Sequence, residues 1–353
     1  MKRRHFLTAT STVGAAALAA PALGQGRLSI SIGNVWSQQT DGRGELAARL
    51  AARIEGLSGG TITVSTREFG GLASDTMLAA LRAGEVNAVL GAEENWMELH
   101  PAFGVFTSLP GGLVERELEA WFRVGRGQDA WDTFAAEYDL KSHYIGDTGA
   151  EYAWTRAALT GTAMLDGLTV ATRGLAADIY SALGARVRPQ AAGVVNPGDV
   201  ELAETGPVAD TAQLPTLGFG HLTLATATRP SSALSLTFTK SSWDGLTEEQ
   251  RRILEASAMA ESHIVAAQGM KRNAVSKQIF RLVNSVSVTN APQPVFDAML
   301  EASRDRFSEL EGQDDATRSL LREYRNFGEA VQVWTRVADA PFTLSRARNA
   351  AAG

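Results

Sequence analysis

The sequence predicts an α/β protein of two domains joined by one long helix. Three observations predict it. Strand-like alternation and helix-like spacing interleave over residues 28–90, the same interleaving resumes after Gly146, and a proline-free apolar pattern runs from Thr247 to Phe280. Two α/β blocks in one chain imply a cleft between them.

At the start of the chain, Lys2-Arg3-Arg4-His5-Phe6-Leu7 precedes a soft run from Thr8 to Leu23. Paired arginines ahead of a weakly apolar stretch resemble a twin-arginine export signal, and Ala22-Leu23-Gly24 supplies the small residues a signal peptidase requires. Residues 1–24 are therefore expected to be a signal for export, folded, to the periplasm. The run is too short and too rich in Ala, Thr, Ser and Gly to span a bilayer.

Leu28-Ser-Ile-Ser-Ile32 alternates like a strand, Leu46, Leu50 and Ile54 recur at helical spacing, and Thr61-Ile-Thr-Val-Ser65 alternates again. Ser74 or Asp75 can cap a helix through Met77, Leu78 and Leu81 that stops at Gly84, ahead of a buried strand Ala88-Val-Leu90. The second block repeats this with Leu168-Thr-Val-Ala-Thr172, a helix over Leu175 to Leu183, Gly184 and Ala185-Arg-Val-Arg188. Thr247-Glu-Glu-Gln250 is a capping box that opens the long helix; unbroken to Phe280 it would reach about 50 Å, whereas a break near Gly269 would make two helices. The expected division is 25–148 plus 233–265 for the first domain, 149–232 plus 266–330 for the second, and 331–353 for a C-terminal helix and tail.

Composition narrows the function. The mix of 44% hydrophobic and 20% charged residues suits packed domains. Losing the signal removes three basic residues and no acids, taking the net charge from −6 to about −9, so nucleic acid is not an expected partner. The absence of cysteine excludes disulfides, thiolate nucleophiles and Cys-ligated metals.

Catalytic motifs are scarce. His5, His100, His143, His221 and His263 are scattered without zinc-site spacing, and are expected to be surface or capped side chains. Gly56-Leu-Ser58-Gly-Gly60 spells a nucleophile elbow but follows a helix, so it is expected to be a helix stop and turn. Gly125-Arg-Gly127 follows a helix over Glu115 to Val124 and reads as a stop and restart. Glu93-Glu94 and Glu248-Glu249 are expected to be solvated or helix N-terminal charges.

Pro101-Ala-Phe-Gly-Val-Phe-Thr-Ser-Leu-Pro110, Gly127-Gln-Asp-Ala-Trp-Asp132, Gly146-Asp-Thr-Gly-Ala150, Asp166-Gly-Leu-Thr-Val170, Gly174-Leu-Ala-Ala-Asp178, Leu183-Gly-Ala185, Gly206-Pro207, Asp210 and Trp334-Thr-Arg336 follow one another in register. In that order they resemble the solute-binding proteins of tripartite ATP-independent periplasmic (TRAP) transporters, most of all the branch for 2-oxo acids and small carboxylates. The resemblance implies a type II-like periplasmic binding protein that closes two domains over a small organic acid and delivers it to a membrane permease. It also implies a possible homodimer through the C-terminal helix. In that branch the acid and a cation are held by a Gln after the Thr-Gly-Ala turn, an Arg after the Gly-Leu-x-x strand, a Glu-Trp pair and a further Glu.

This chain departs from that pattern. Glu151 stands at the Gln, Ala171 at the clamping Arg, Thr205 follows Glu204 where the Trp is expected, and Arg229 falls at the second cation-binding Glu. Asn95 follows Glu94 where an aromatic pair precedes Trp96, Trp154 is retained, and Trp36 completes the expected lining. The sodium or calcium site is therefore expected to be lost, with no other cofactor. Arg229 is the leading replacement for the clamp. Arg173 is a second candidate, although Gly174 suggests the strand ends before it. Either Arg229 takes the solute's carboxylate, or Glu151, Glu204 and Glu94 leave the pocket net negative for a cationic, zwitterionic or neutral solute. Other readings are a sensor uncoupled from any permease, and an enzyme using Glu151 and Glu204 as acid and base.

Overall fold

A computed structural model describes residues 27–36, 43–69, 74–107, 109–147, 149–190, 198–205, 214–224, 228–231, 233–282 and 286–351. The export signal expected over residues 1–24, and the Gly206-Pro207 and Asp210 positions, lie outside them.

The chain first forms β1 (Leu28–Asn34), α1 (Arg43–Leu57), β2 (Ile62–Glu68), α2 (Ser74–Arg82), β3 (Ala88–Gly91), α3 (Glu115–Arg123), α4 (Gly127–Ala136) and β4 (Leu140–Asp147). It then crosses to β5 (Tyr152–Thr155), β6 (Thr169–Thr172), α5 (Leu175–Ala182), β7 (Arg186–Pro189), β8 (Leu202–Thr205) and β9 (His221–Leu224). A return gives β10 (Ala233–Thr239), α6 (Lys240–Asp244) and α7 (Glu248–Leu282); β11 (Ser287–Asn290), α8 (Gln293–Glu311), α9 (Asp315–Trp334) and α10 (Ala340–Ala351) complete it.

Two sheets result, ordered β2-β1-β3-β10-β4 and β11-β9-β5-β8-β6-β7. Each is mostly parallel in strand direction, with one strand reversed: β10 is antiparallel to β3 and β4, and β5 to β8 and β9. The reversed strands sit beside the crossings, where the chain re-enters a sheet from the other one. In α1 the buried Leu46, Leu50 and Ile54 line up one turn apart, so the periodicity that predicts the helix also aims it at the first core.

The capping box forms as the sequence predicts: Gln250 N donates to Thr247 Oγ1 at 3.2 Å and Thr247 N to Gln250 Oε1 at 2.9 Å. From it α7 runs 35 residues through Gly269 without a break, a length of about 52 Å. Its buried Leu254, Ala258 and Val265 pack on the first core, where Glu261 takes both Arg49 (3.1 Å) and Arg53 (2.8 Å) of α1. Its far end leads to β11 in the second sheet. Helix α9 comes back to the first core, and Tyr324 accepts the Leu113 N–H at 2.7 Å.

Ser58 confirms the Gly56–Gly60 turn, its hydroxyl donating to Glu55 O at 3.0 Å. The restart after Gly125 is likewise a second helix, α4. Two expectations are corrected. His143 is not a surface side chain but is buried against Trp243, with ring centroids 4.3 Å apart. Burial, together with the Lys141 and Arg123 charges, drives its pKa down to about 3, so it stays neutral. Glu93 is fully buried rather than solvated. It accepts from Trp96 Nε1 (3.2 Å), Trp131 Nε1 (3.1 Å), Ser142 Oγ (2.9 Å) and Thr237 Oγ1 (3.0 Å), and burial raises its pKa against those donors.

Candidate functional site

Four charged side chains meet where the chain passes between the sheets. Glu94 lies on a short 3-10 turn (Glu93–Trp96) after β3, at the carboxyl end of a central strand of the first sheet. Arg173 follows β6 in the second sheet. Glu151 opens β5 on the first crossing, and Arg229 lies on the second crossing between β9 and β10. The two crossings are tied together by Glu151 N donating to Arg229 O at 3.1 Å. Crevices at the carboxyl ends of strands in open α/β sheets are where ligands bind.

The four form a closed ring. Arg173 Nε donates to Glu94 Oε1 and its Nη2 to Glu151 Oε1 at 2.6 Å. Arg229 Nε donates to Glu151 Oε2 at 2.8 Å and its Nη2 to Glu94 Oε2 at 3.0 Å. Each carboxylate thus receives both guanidiniums. Arg229 Nη1 also donates to Arg173 O at 3.2 Å, which orients the two forks toward one another. Side-chain exposure is 1% for Arg229 and Glu151, 4% for Glu94 and 10% for Arg173, so solvent screens little of this charge.

Burial alone would push the Glu94 carboxyl up, but the adjacent Arg173 and Arg229 charges outweigh it and hold the pKa at about 2. For Arg229 burial opposes the charge, and Glu151 and Glu94 more than restore it, raising its pKa. Beneath the ring Glu204 accepts from Thr172 Oγ1 and Tyr180 OH, each at 2.9 Å, and from Thr228 Oγ1. Desolvation raises its pKa, opposed by the Thr228 bond and by Arg229.

Close packing brings the elements together. Gly174, at φ 62°, caps α5, and a β-carbon there would come within 3.3 Å of Glu94 Oε2 and 3.4 Å of Arg229 Nη1. Gly104, on the first-sheet side, lies so near α5 that a β-carbon would meet Leu175 Cγ at 2.7 Å. Leu175 itself packs into the core of the first sheet. The lobes are therefore closed on each other in this structure.

Of the residues expected at the site, Glu151 and Arg229 are in the ring and Glu204 lies beneath it. Ala171 and Trp154 are buried together in an apolar cluster with Val200, Ala203, Leu214, Phe219 and Leu222. Trp36 and Trp96 are buried in the first core, where Trp96 serves Glu93. Asn95 is buried, its Nδ2 close behind Gly91. The backbone of Thr205 pairs with Tyr152 at the end of β8. One correction follows: Glu94 is not a solvated acid but is paired with Arg173 and Arg229. Within the ring two guanidiniums balance two carboxylates, and Glu204 adds a third acidic group beneath it. Arg173 does lie past the end of its strand, as Gly174 suggests, yet its length carries the guanidinium into the ring. The signal that points to Glu94 is its place in the turn that follows the buried strand Ala88-Val-Leu90, at the strand's carboxyl end.

No protein-family model matches the chain. The monocarboxylate 2-oxoacid-binding periplasmic protein of Nostoc sp. is 22% identical over 358 residues, covering 97% of this chain and 98% of that protein. A TRAP transporter solute-binding protein from Bordetella bronchiseptica, solved as a mixed-occupancy dimer with copurified calcium and picolinate, superposes with a TM-score of 0.84. It is 22% identical, with 92% of this chain and 99% of that one covered. A TRAP periplasmic solute-binding protein from Pseudoalteromonas atlantica with bound sodium and pyruvate gives 0.84 at 19% identity, covering 90% and 99%. The chain has the two-domain α/β fold of these solute-binding proteins.

Proposed function

We propose that this chain is a periplasmic receptor that closes two α/β lobes over a small organic acid and delivers it to a TRAP permease. The observation that carries this reading is the pair of buried guanidiniums, Arg173 and Arg229, converging on the same two carboxylates between the lobes, each on a different oxygen. A fork-to-carboxylate arrangement is what recognition of a small acid requires. The likeness to carboxylate-binding receptors of the same fold supports it, and the N-terminal arginine pair supports folded export by the twin-arginine route.

In this reading no resident cation is held. Arg229 stands where a second acidic ligand would be needed, Glu151 is committed to guanidiniums and Glu204 to hydroxyls, a donor set unsuited to a hard cation. The same commitments speak against Glu151 and Glu204 as an acid and base pair, so the reading is a receptor rather than an enzyme. Thermal unfolding against small mono- and dicarboxylates, amines and polyols tests it. Carboxylates at a hundred times their Kd are expected to stabilise by about 2.7 kcal/mol, equally with sodium, with calcium or with chelator. Stabilisation that requires a cation would restore a metal-assisted seat.

The C-terminal helix supports a homodimer. The end of α9, the π-helical stretch that follows (Thr335–Asp339) and α10 expose Trp334 (61%), Val337 (63%), Phe342 (68%) and Leu344 (57%), a run of apolar side chains that a lone subunit leaves in water. Light scattering is expected to give a dimer for the full chain and a monomer after truncation at residue 333, with solute binding kept. A monomeric full chain would exclude this arrangement.

A further inference from the structure

The ring has a charge balance that constrains which acid can enter it. Two guanidiniums and two carboxylates cancel, and all four are nearly out of solvent. Three members lie on the second lobe or the crossings: Arg173, Arg229 and Glu151. Glu151 takes Arg173 Nη2 and Arg229 Nε from the crossing on which Arg229 itself is anchored, whereas Glu94 alone comes from the first lobe and takes Arg173 Nε and Arg229 Nη2. A solute carboxylate that uses the two arginines therefore replaces Glu94, the partner that belongs to the opposite lobe. Glu94 then loses both partners inside a closing cleft, with Gly174 at its back and no guanidinium left over.

A solute that is only an anion would leave the closed site with one uncompensated negative charge, a costly state in a buried environment. A solute that carries its own cation would not. We propose that the physiological solute is an amino-bearing carboxylic acid, a zwitterion whose carboxylate replaces Glu94 on Arg173 and Arg229 while its ammonium group pairs with Glu94. This rests on the carboxylate seat proposed above. Glu94 is then the residue that selects amino acids over 2-oxo acids of the same carbon skeleton.

The test is calorimetric titration of the full chain with matched pairs: alanine and pyruvate, leucine and 2-oxoisocaproate, glutamate and 2-oxoglutarate. In at least one pair the amino member is expected to bind about 30-fold more tightly or better, the factor for a buried charge losing its partner. Glu94→Gln is expected to narrow or reverse that preference, because the ammonium loses its partner and a 2-oxo acid no longer strands a carboxylate. Wild-type protein that prefers the 2-oxo member in every pair it binds overturns the amino-group assignment and leaves the carboxylate seat standing. If no member of any pair binds, both the assignment and the seat fail. The wild-type comparison decides the matter even if Glu94→Gln folds poorly.

Discussion

Arg229→Met is expected to cost about 3 to 5 kcal/mol of folding stability and to abolish solute binding. Arg229 is 1% exposed and donates to Glu151 at 2.8 Å and to Glu94 at 3.0 Å. Methionine fills much of the volume but leaves two carboxylates sharing the single guanidinium of Arg173. Removing one partner of a buried, hydrogen-bonded ion pair has costs of this size because the remaining charge stays desolvated. Arg229→Lys keeps a charge but cannot reach both carboxylates in a fork, and should fall between wild type and Met. Urea unfolding measures the first effect and calorimetry the second. The double variant Glu151→Gln with Arg229→Met should recover part of the loss, since it removes one of the stranded charges; strict additivity of the two single effects would show that the ring is not energetically coupled.

Acid is expected to dissolve the same ring in a defined window. Glu94 titrates at about 2 in the folded protein against 4.5 ordinarily. A depressed carboxyl contributes stability that is complete above the unfolded value and is lost as pH falls through the folded one. The fall from 4.5 to about 2 corresponds to about 3 kcal/mol, present at pH 6 and above and withdrawn between roughly pH 4.5 and pH 2. Other buried groups change the same acid limb. His143, at about 3, lowers stability as the unfolded chain takes up protons first, whereas Glu93 and Glu204, both raised by burial, are relieved by acid. Comparing wild type with Glu94→Gln cancels those contributions. Their stability difference in urea should be about 3 kcal/mol at pH 7 and close to zero at pH 2, because a protonated Glu and a Gln are nearly alike. A difference that does not change with pH would show that Glu94 is not held ionised by the two arginines.

Much of the fold is legible in the sequence because its signals are local. Leu46, Leu50 and Ile54 recur at the period that turns them to one side, and α1 buries that side. Thr247 and Gln250 carry the cap of α7 within four residues, and the stop at Gly84 is a glycine at φ 72°. The break considered at Gly269 does not occur; an interior glycine costs about 1 kcal/mol, too little to interrupt a helix of 35 residues that carries the chain between the sheets.

The site is legible only in part. Glu151 and Arg229 stand out because they depart from a pattern and Glu204 because it keeps to it, and both kinds of mark are visible one position at a time. His143 carries no such mark and as an isolated letter reads as a surface residue, while Glu94 is marked only by the lost aromatic pair before Trp96, which does not tell that two arginines meet it. Strand alternation ends with Thr172 and so gives Arg173 no face, while its long guanidinium stem does not depend on the strand continuing.

By itself the sequence determines two α/β units, the long helix between them and the absence of cysteine chemistry. Only the tertiary structure decides that Glu94, Glu151, Arg173 and Arg229 form one neutral ring. Glu94 and Arg229 are 135 residues apart, and the periodicity of an element reports which way a side chain faces, not which charge awaits it across a crossing. A buried charge is stable or ruinous according to that partner, so the chemistry of the site is settled where the lobes meet rather than along the chain.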